Sequence, residues 1–308
     1  MTTTPKKYLV VLVGPTAVGK TQSAITLATY FKSQIISGDS RQLYREMDIG
    51  TAKPSKIDLN LVKHHFVSTL SIHESYTVSD YEKDANRTLK NLFKEHDILF
   101  LVGGSGLFVR AVCEGLDEIP AVDSEIRTLL NEIYDSGKFP RLVRELEEVD
   151  PEYYAMADIN NPRRVIRALE VYRGTGKPFS SYLTKSIKKR DYGIIKVGLN
   201  IDRDDLYNRI NQRVDRMIEG GLVEEAKELL DFRSASSLQT VGYQEIFRYL
   251  LGEYDLNTAI DDIKTNTRQY AKRQLTWFKK DKDISWFEPS NLEAIIKLLN
   301  TKTQSHLN

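Results

Sequence analysis

Eight residues near the start of the chain, Gly14-Pro15-Thr16-Ala17-Val18-Gly19-Lys20-Thr21, have the types and spacing to hold phosphate. In a G-x-x-x-x-G-K-[ST] run the glycines let backbone N–H groups curl around an anion and the lysine reaches the outer phosphates. The final hydroxyl carries a bridging Mg²⁺. Thr21 is therefore the candidate metal ligand, and Mg²⁺ the expected cofactor. A plain glycine turn has no need of Lys-Thr at that offset. The run does not say whether the phosphates belong to a nucleoside triphosphate or to another molecule.

Other groups narrow the chemistry. Enzymes that split a triphosphate often carry an Asp at the end of a sheet strand to hold magnesium. Here ILFLV ends in Gly103-Gly104-Ser105, and Asp97 lies at its other end. The acid in a suitable place is Asp39, after the run QIIS, where it could act as a base toward an acceptor or simply cap a turn. Ser105 offers a hydroxyl and neighbouring amides to an anion, or is part of a strand-to-helix turn. The tandem His64-His65 is read as packing or hydrogen-bonding rather than as a metal pair, since consecutive residues do not share a face.

These groups need elements to position them. YLVVLVG before the phosphate loop is an aliphatic run of buried-strand length, and TQSAITLATYF after it repeats apolar residues at helical spacing. Gln34–Ser40, Asp97–Gly104 and Lys196–Ile201 read as further strands. Strands alternating with helices imply an α/β fold, a P-loop NTPase-like parallel sheet flanked by helices, with ligands at the carboxyl ends of the strands. About ninety residues between the third and fourth of these strands show helical periodicity only. The chain is accordingly divided into a first part of the core (1–115), a helical insertion domain (116–194) and a second part of the core with C-terminal helices (195–308). Leu206, Ile210, Val214 and Met217 fall on one helix face, and Arg209, Arg213 and Arg216 on another.

The chain has 308 residues, 41% hydrophobic and 28% charged, with a net charge of +1 and one cysteine, Cys113. That composition belongs to an ordinary globular protein and excludes an internal disulfide framework or a cysteine-built metal site. No signal peptide and no membrane-spanning run is read, so a cytoplasmic location and no membrane partner are expected. Charge is segregated. Residues 114–152 hold twelve acids against four bases, 161–190 nine bases against Glu170 alone, and 264–282 seven bases against Asp281. Blocks of one sign suit a polyanion, though each on its own could be solvated helix surface. Arg127, Arg163, Arg164, Arg167, Arg268, Lys272 and Arg273 are the candidates for gripping its phosphates. Arg163 and Arg167, like Arg268 and Lys272, are four apart and share a face of any helix.

At this point the chain resembles a known family. GPTAVGKT, SGDSRQLYREMDIGTAKPS (37–55), HHFV, YTVSDY (76–81), LVGGSGLF, NPRRVIRALEVYRGTGKP (161–178), VGYQE and TRQYAKRQLTWF (267–278) are similar, in order, to the tRNA dimethylallyltransferases, or isopentenyl-tRNA transferases. The departures are Val18, Gly38, Ser105 and Phe108, and the zinc-finger extension of some eukaryotic members is absent. The resemblance implies that the loop holds dimethylallyl diphosphate and that the prenyl group passes to the exocyclic amine of the adenine beside the anticodon. It implies that Asp39 takes the amine proton and that Lys20, Thr21 with Mg²⁺, Ser105 and Arg213 stabilise the leaving diphosphate. Ser40, Arg41 and Gln42 would hold the base and its neighbours, with the anticodon stem-loop of tRNA as partner and a monomer expected. A prenyltransferase acting on free adenine nucleotides, a small-molecule P-loop kinase and a non-enzymatic RNA-binding module stay as alternatives.

Overall fold

In a computed structural model, which describes residues 7–184 and 187–304, the strand-loop-helix order of the first thirty residues is realised directly. Strand β1 (Tyr8–Val13) is buried along its whole length, as a strand covered on both faces must be. Helix α1 (Lys20–Tyr30) follows, then β2 (Ile35–Ser37), α2 (Lys56–Leu61), β3 (His64–His65), α3 (Val78–Leu92), β4 (Ile98–Gly103) and α4 (Gly106–Glu114). Ser55 and Thr77 open α2 and α3 through capping boxes with Asp58 and Asp80. The chain then runs through α5 (Ser124–Asp135), α6 (Phe139–Val149), α7 (Pro151–Met156) and α8 (Pro162–Thr175). It closes with β5 (Gly193–Leu199), α9 (Arg203–Glu219), α10 (Leu222–Glu228), α11 (Tyr243–Leu250), α12 (Leu256–Phe278), β6 (Ser285–Phe287) and α13 (Leu292–Gln304).

The strands form one parallel sheet in the order β3-β2-β4-β1-β5-β6. Val13 of β1 stands level with Gly103 of β4 and Gly198 of β5. The loops after β1, β2 and β4 therefore emerge on one edge, where the sequence places its phosphate loop, Asp39 and Ser105. Alternate β1 residues serve two cores. Val10 and Leu12 pack with Leu27 of α1, Ile210 of α9 and Leu299 of α13, whereas Leu9 and Val11 meet Tyr81 and Leu89 of α3 and Val112 of α4. A third core, around Met47, Val214, Leu222, Tyr243 and Ile263, joins α9 to α12 with the loop after β2.

Residues 114–188 form a separate helical unit, and the remaining residues form the sheet unit. The helical unit has its own core of Leu130, Leu142, Leu146, Val165 and Leu169. Its buried Asp150 caps α7 through Tyr153 N–H and also accepts from Ser180 N–H at 2.8 Å. The boundary expected at 194 is corrected to 188, because Gly193 to Val197 already pair with Tyr8 to Leu12 in the sheet. β3 and β6 were not anticipated. Two and three residues are too short to show a period of two. His64 and His65 bond to Val62 C=O and to Gln34 Oε1, both at 2.8 Å. Among the described residues no helix is long and apolar enough to cross a membrane.

Candidate active site

The phosphate loop needs backbone shapes that ordinary residues avoid. Gly14 sits at φ +151°, where a Cβ would come 2.5 Å from Leu199 C=O, and Gly19 at φ +108° introduces α1. Ala17 adopts φ +62° despite its Cβ, a local strain that the surrounding contacts sustain. The ammonium of Lys20 folds back on its own loop, donating to Gly14 C=O (3.0 Å) and Pro15 C=O (2.7 Å). Val18 is buried in the core, so it contributes backbone rather than side chain, and its carbonyl accepts from Arg209 at 3.2 Å. Thr16 N–H donates to Gln274 Oε1 of α12 at 2.8 Å, while Gln274 Nε2 donates to Gly104 C=O at 2.9 Å. One buried amide thus ties the loop after β1 to the loop after β4.

Opposite this loop, the buried Tyr81 donates its hydroxyl to Ser37 C=O at 2.8 Å and fixes the end of β2. Asp39 follows, its Oδ1 accepting from Arg41 N–H at 2.9 Å in a side-chain turn. Ser105 Oγ accepts from Ser40 N–H (3.0 Å) and lies 3.2 Å from Ser40 Oγ, so the strand-to-helix turn and the Asp39 loop hold one another. Gln42 reaches the carbonyls of Thr51 and Ala52 at 3.4 and 3.3 Å. Arg41 Nη1 donates to Ser236 C=O, on the far side of the Asp39 loop.

A second clamp holds the loop that carries Thr51 and Ala52. The Glu225 carboxylate of α10 accepts from three consecutive backbone N–H groups, those of Asp48, Ile49 and Gly50, at 2.8 to 2.9 Å, and from Tyr243 OH at 2.6 Å. Gly50 has no room for a side chain, since a Cβ there would meet the Tyr243 ring at 2.5 Å.

Together these loops enclose a cavity of about 300 Å³. Lys20, Thr21, Asp39, Gln42, Arg213 and Tyr270 line it, with Thr16, Ala17, Gly19 and Gln274. Its electrostatics are those of an anion site. Burial pushes the Lys20 ammonium down to about 7, the Asp39 charge opposing and Arg213 reinforcing the shift. Burial also lowers Arg213, against the pull of Asp39. Tyr270, beside Ser105, is pushed up to about 12 by burial and then by the Asp39 charge. Two desolvated cations gain most from an incoming anion. No group of three or more His, Cys, Asp or Glu side chains gathers to hold a metal among the described residues. With the Thr21 hydroxyl in the lining and no cage of protein ligands, the residues present would suit a hard, oxygen-seeking cation such as Mg²⁺ and do not suit structural zinc.

The basic candidates divide. Arg163 and Arg164 are exposed at the start of α8, and Lys272 and Arg273 are exposed on α12. Arg127 and Arg167 instead flank the buried Glu170, at 3.2 and 3.1 Å, and neutralise it. Arg268 donates to Asn211 Oδ1 at 2.8 Å and to Thr265 Oγ1. Helical spacing placed Arg167 with Arg163 and Arg268 with Lys272; in each pair one member is exposed, and the other is only half-buried and engaged with protein partners. The residues that spacing missed are Gln274, Tyr270 and Glu225. For Gln274 a signal existed: it lies with Ala271 and Phe278 on the buried face of α12, and a buried amide requires partners.

Comparison with known proteins now has a geometry to attach to. Residues 42–281 match the family described as IPP transferase. A tRNA dimethylallyltransferase of Christiangramia forsetii is 51% identical over 296 residues, covering 96% of this chain and 98% of that one. The tRNA dimethylallyltransferase 1 of Bacteroides fragilis is 48% identical over 293 residues, 95% and 97% of the two chains. The crystal structure of the tRNA isopentenylpyrophosphate transferase of Bacillus halodurans superposes with a TM-score of 0.72 at 39% identity, covering 97% and 98%. A eukaryotic dimethylallyltransferase described as acting on tRNA gives 0.80 at 25% identity, covering 97% of this chain and 79% of that one. By its sequence, its parallel sheet and its phosphate loop, the chain belongs to the IPP transferase family.

Proposed function

We propose that this enzyme transfers the dimethylallyl group of dimethylallyl diphosphate to the exocyclic N6 amine of the adenine next to the anticodon in tRNA, releasing diphosphate. The observation that carries the reading is the polarity of the cavity: the phosphate loop with Lys20 and Arg213 lines it together with the Asp39 carboxylate, whose charge reaches both cations, and Asp58 lines it as well. Such a site is built to hold a leaving anion and to take one proton from an acceptor.

The chemistry follows from that arrangement. An adenine amine is a poor nucleophile, because its lone pair is delocalised into the ring. Alignment behind the first prenyl carbon supplies much of the rate. As the new C–N bond forms, the C–O bond to diphosphate breaks and its electron pair leaves with the diphosphate. Lys20, Arg213 and the loop amides face that growing charge. Asp39 accepts the proton that the amine sheds. Ser105, at the start of α4, adds a hydroxyl beside the Asp39 loop. The Thr21 hydroxyl would hold Mg²⁺, whose charge, when bound, offsets that of the diphosphate. An adenine reaches this cavity only by leaving its stack, so the substrate must be gripped on either side of a flipped nucleotide. Exposed Lys272 and Arg273, in the same unit as the cavity, suit the flanking phosphates, and exposed Arg163 and Arg164 of the helical unit suit RNA phosphates in general.

The test is mass spectrometry of nucleosides from an anticodon stem-loop incubated with the protein, dimethylallyl diphosphate and Mg²⁺. Prenylated adenosine with stoichiometric diphosphate release is the expected result. Prenylation of free AMP in preference to the stem-loop, or phosphate release from ATP at a matching rate, would replace this reading with the nucleotide-prenylating or kinase alternative.

A further inference from the structure

Three carbonyls of the phosphate loop accept hydrogen bonds from cations. Lys20 takes those of Gly14 and Pro15, and Arg209 of α9 donates from Nη1 to that of Val18 at 3.2 Å. The two cations stand in different places. Lys20 lines the cavity, whereas Arg209 is exposed and lies outside the lining. Its guanidinium also lies against Gly19, where a Cβ would come 3.8 Å from Arg209 Nη1 and 3.6 Å from Pro289 Cβ. Helix α9 is fixed for this task, because its Ile210 is buried in the same core as Val18. One turn further along, Arg213 lines the cavity, so one helix addresses the site from within and the loop from behind.

Peptide geometry turns that outer bond into an inner one. A trans peptide points its C=O and its N–H in opposite directions, and the described residues contain no cis bond. Holding Val18 C=O toward Arg209 therefore turns Gly19 N–H the other way, and Gly19 lines the cavity. Gly19 C=O is engaged separately, accepting from Ser23 N–H at 3.2 Å at the start of α1. Val18 C=O lies one residue ahead of that ladder and takes its donor from Arg209. Since Gly19 has no side chain to resist rotation, the Val18–Gly19 peptide needs an outside partner to select one orientation. A charged donor on the carbonyl also polarises the peptide and makes its N–H a stronger donor.

We infer that Arg209 is a positioning residue for the anion site: by holding Val18 C=O from outside the cavity it keeps Gly19 N–H turned toward the leaving diphosphate, without itself touching the ligand. This rests on the reading of the cavity as a diphosphate site and is independent of which acceptor receives the prenyl group.

The probe is inorganic diphosphate with Mg²⁺, titrated by calorimetry. Arg209→Ala should raise its Kd roughly tenfold, as expected for one hydrogen bond from a charged group. Arg209→Lys, which can still donate, should recover most of the loss. Because Arg209 is exposed, the melting temperature and the Kd for an anticodon stem-loop RNA should stay put. A distant charge acting directly on the ligand would be screened by salt, whereas the loss of a local bond persists at about 0.5 M salt. In protein labelled with ¹⁵N-glycine, the Gly19 amide should move downfield on saturation in the parent and clearly less in Arg209→Ala. A diphosphate Kd within twofold of the parent in Arg209→Ala, a deficit that disappears at high salt, or an equal Gly19 response in both proteins overturns the positioning role and leaves the proposed function standing. A parent that binds no diphosphate removes the proposed function, and this inference with it.

Discussion

Gln274 Oε1 accepts the hydrogen bond of Thr16 N–H at 2.8 Å, across 258 residues of sequence. The same amide donates to Gly104 C=O, so one side chain sets the spacing of two substrate-facing loops. Gln274→Ala leaves a buried donor and a buried acceptor unpaired, each costing roughly 1–3 kcal/mol. The melting temperature should fall and dimethylallyl diphosphate should bind more weakly. Gln274→Glu should restore the bond from Thr16 but not the one to Gly104, and it adds a negative charge beside an anion site. Calorimetry of the three proteins, with and without the diphosphate, checks both effects.

Lys20 predicts a pH dependence. In the free site its ammonium titrates near 7 because burial disfavours the charge, whereas a bound diphosphate favours it. Above about pH 7 binding must therefore take up a proton, and affinity should fall as pH rises, by up to about tenfold per unit. Titrations from pH 6 to 9 should show this slope in the parent and not in Lys20→Met. Stability moves the other way. The unfolded chain keeps the Lys20 proton up to 10.5 and the folded chain sheds it near 7, so this group adds stability as pH climbs through that window. An affinity slope that survives Lys20→Met would show that another group titrates.

Asp39 has two duties that can be separated. Its Oδ1 closes the turn onto Arg41 N–H, and its carboxylate is proposed as the proton acceptor. Asp39→Asn keeps the turn acceptor and loses the basicity. Single-turnover prenylation should slow by about 10²- to 10⁴-fold with RNA affinity and melting temperature largely kept. Asp39→Ala should lose rate and some stability together. A rate for the Asn protein within a few-fold of the parent would remove the base assignment.

The Glu225 clamp makes a prediction far from the chemistry. Glu225→Ala strips the acceptor from three adjacent N–H groups and from Tyr243 OH, with a cost of roughly 1–3 kcal/mol for each donor left buried and unpaired. The loop bearing Thr51 and Ala52 should loosen, seen as faster amide hydrogen exchange at residues 48–52, and Gln42 should lose its rest. Glu225→Gln keeps one oxygen acceptor and should recover part of the protection. Unaltered exchange in the Ala protein would mean that the loop is held by its other contacts.

The basic residues separate by measurement as they do by geometry. Neutralising Arg163, Arg164, Lys272 and Arg273 should flatten the dependence of RNA affinity on salt, each phosphate contact contributing a slope of about 0.7 to 0.9 in log Kd against log salt. Arg127→Ala and Arg167→Ala should lower the melting temperature instead, since each leaves the buried Glu170 short of a counter-charge. Equal salt slopes in all these variants would show that the RNA lies elsewhere.

The phosphate loop was legible because its chemistry is local: the backbone turns and the lysine come from eight adjacent residues between a strand and a helix. Asp39 and Ser105 were legible as strand-end residues once the parallel sheet was read. Gln274 and Glu225 were not, because what they do is join segments far apart in the chain, and no periodicity records a partner. Charge misled in the same way. Spacing places Arg167 beside Arg163 on a helix but is silent about Glu170 waiting on the inner side. The domain boundary slipped to 194 because Gly193 to Ile195 declare themselves as strand only through pairing with β1.

The order of the sheet bears on how the protein is made. β1 leaves the ribosome first yet lies inside the sheet, between β4 and β5, whose pairing begins at Ile98 and Gly193. Until those residues are synthesised, six consecutive apolar side chains have neither neighbour, the kind of exposed strand that other chains can capture. The nascent chain therefore carries this strand with neither neighbour for about the first third of its synthesis, and with one edge still open until β5 is made. Expression should be most sensitive to translation speed and to chaperone supply before Gly193 emerges, and substitutions in β4 or β5 should reduce soluble yield more than their effect on the finished fold would imply.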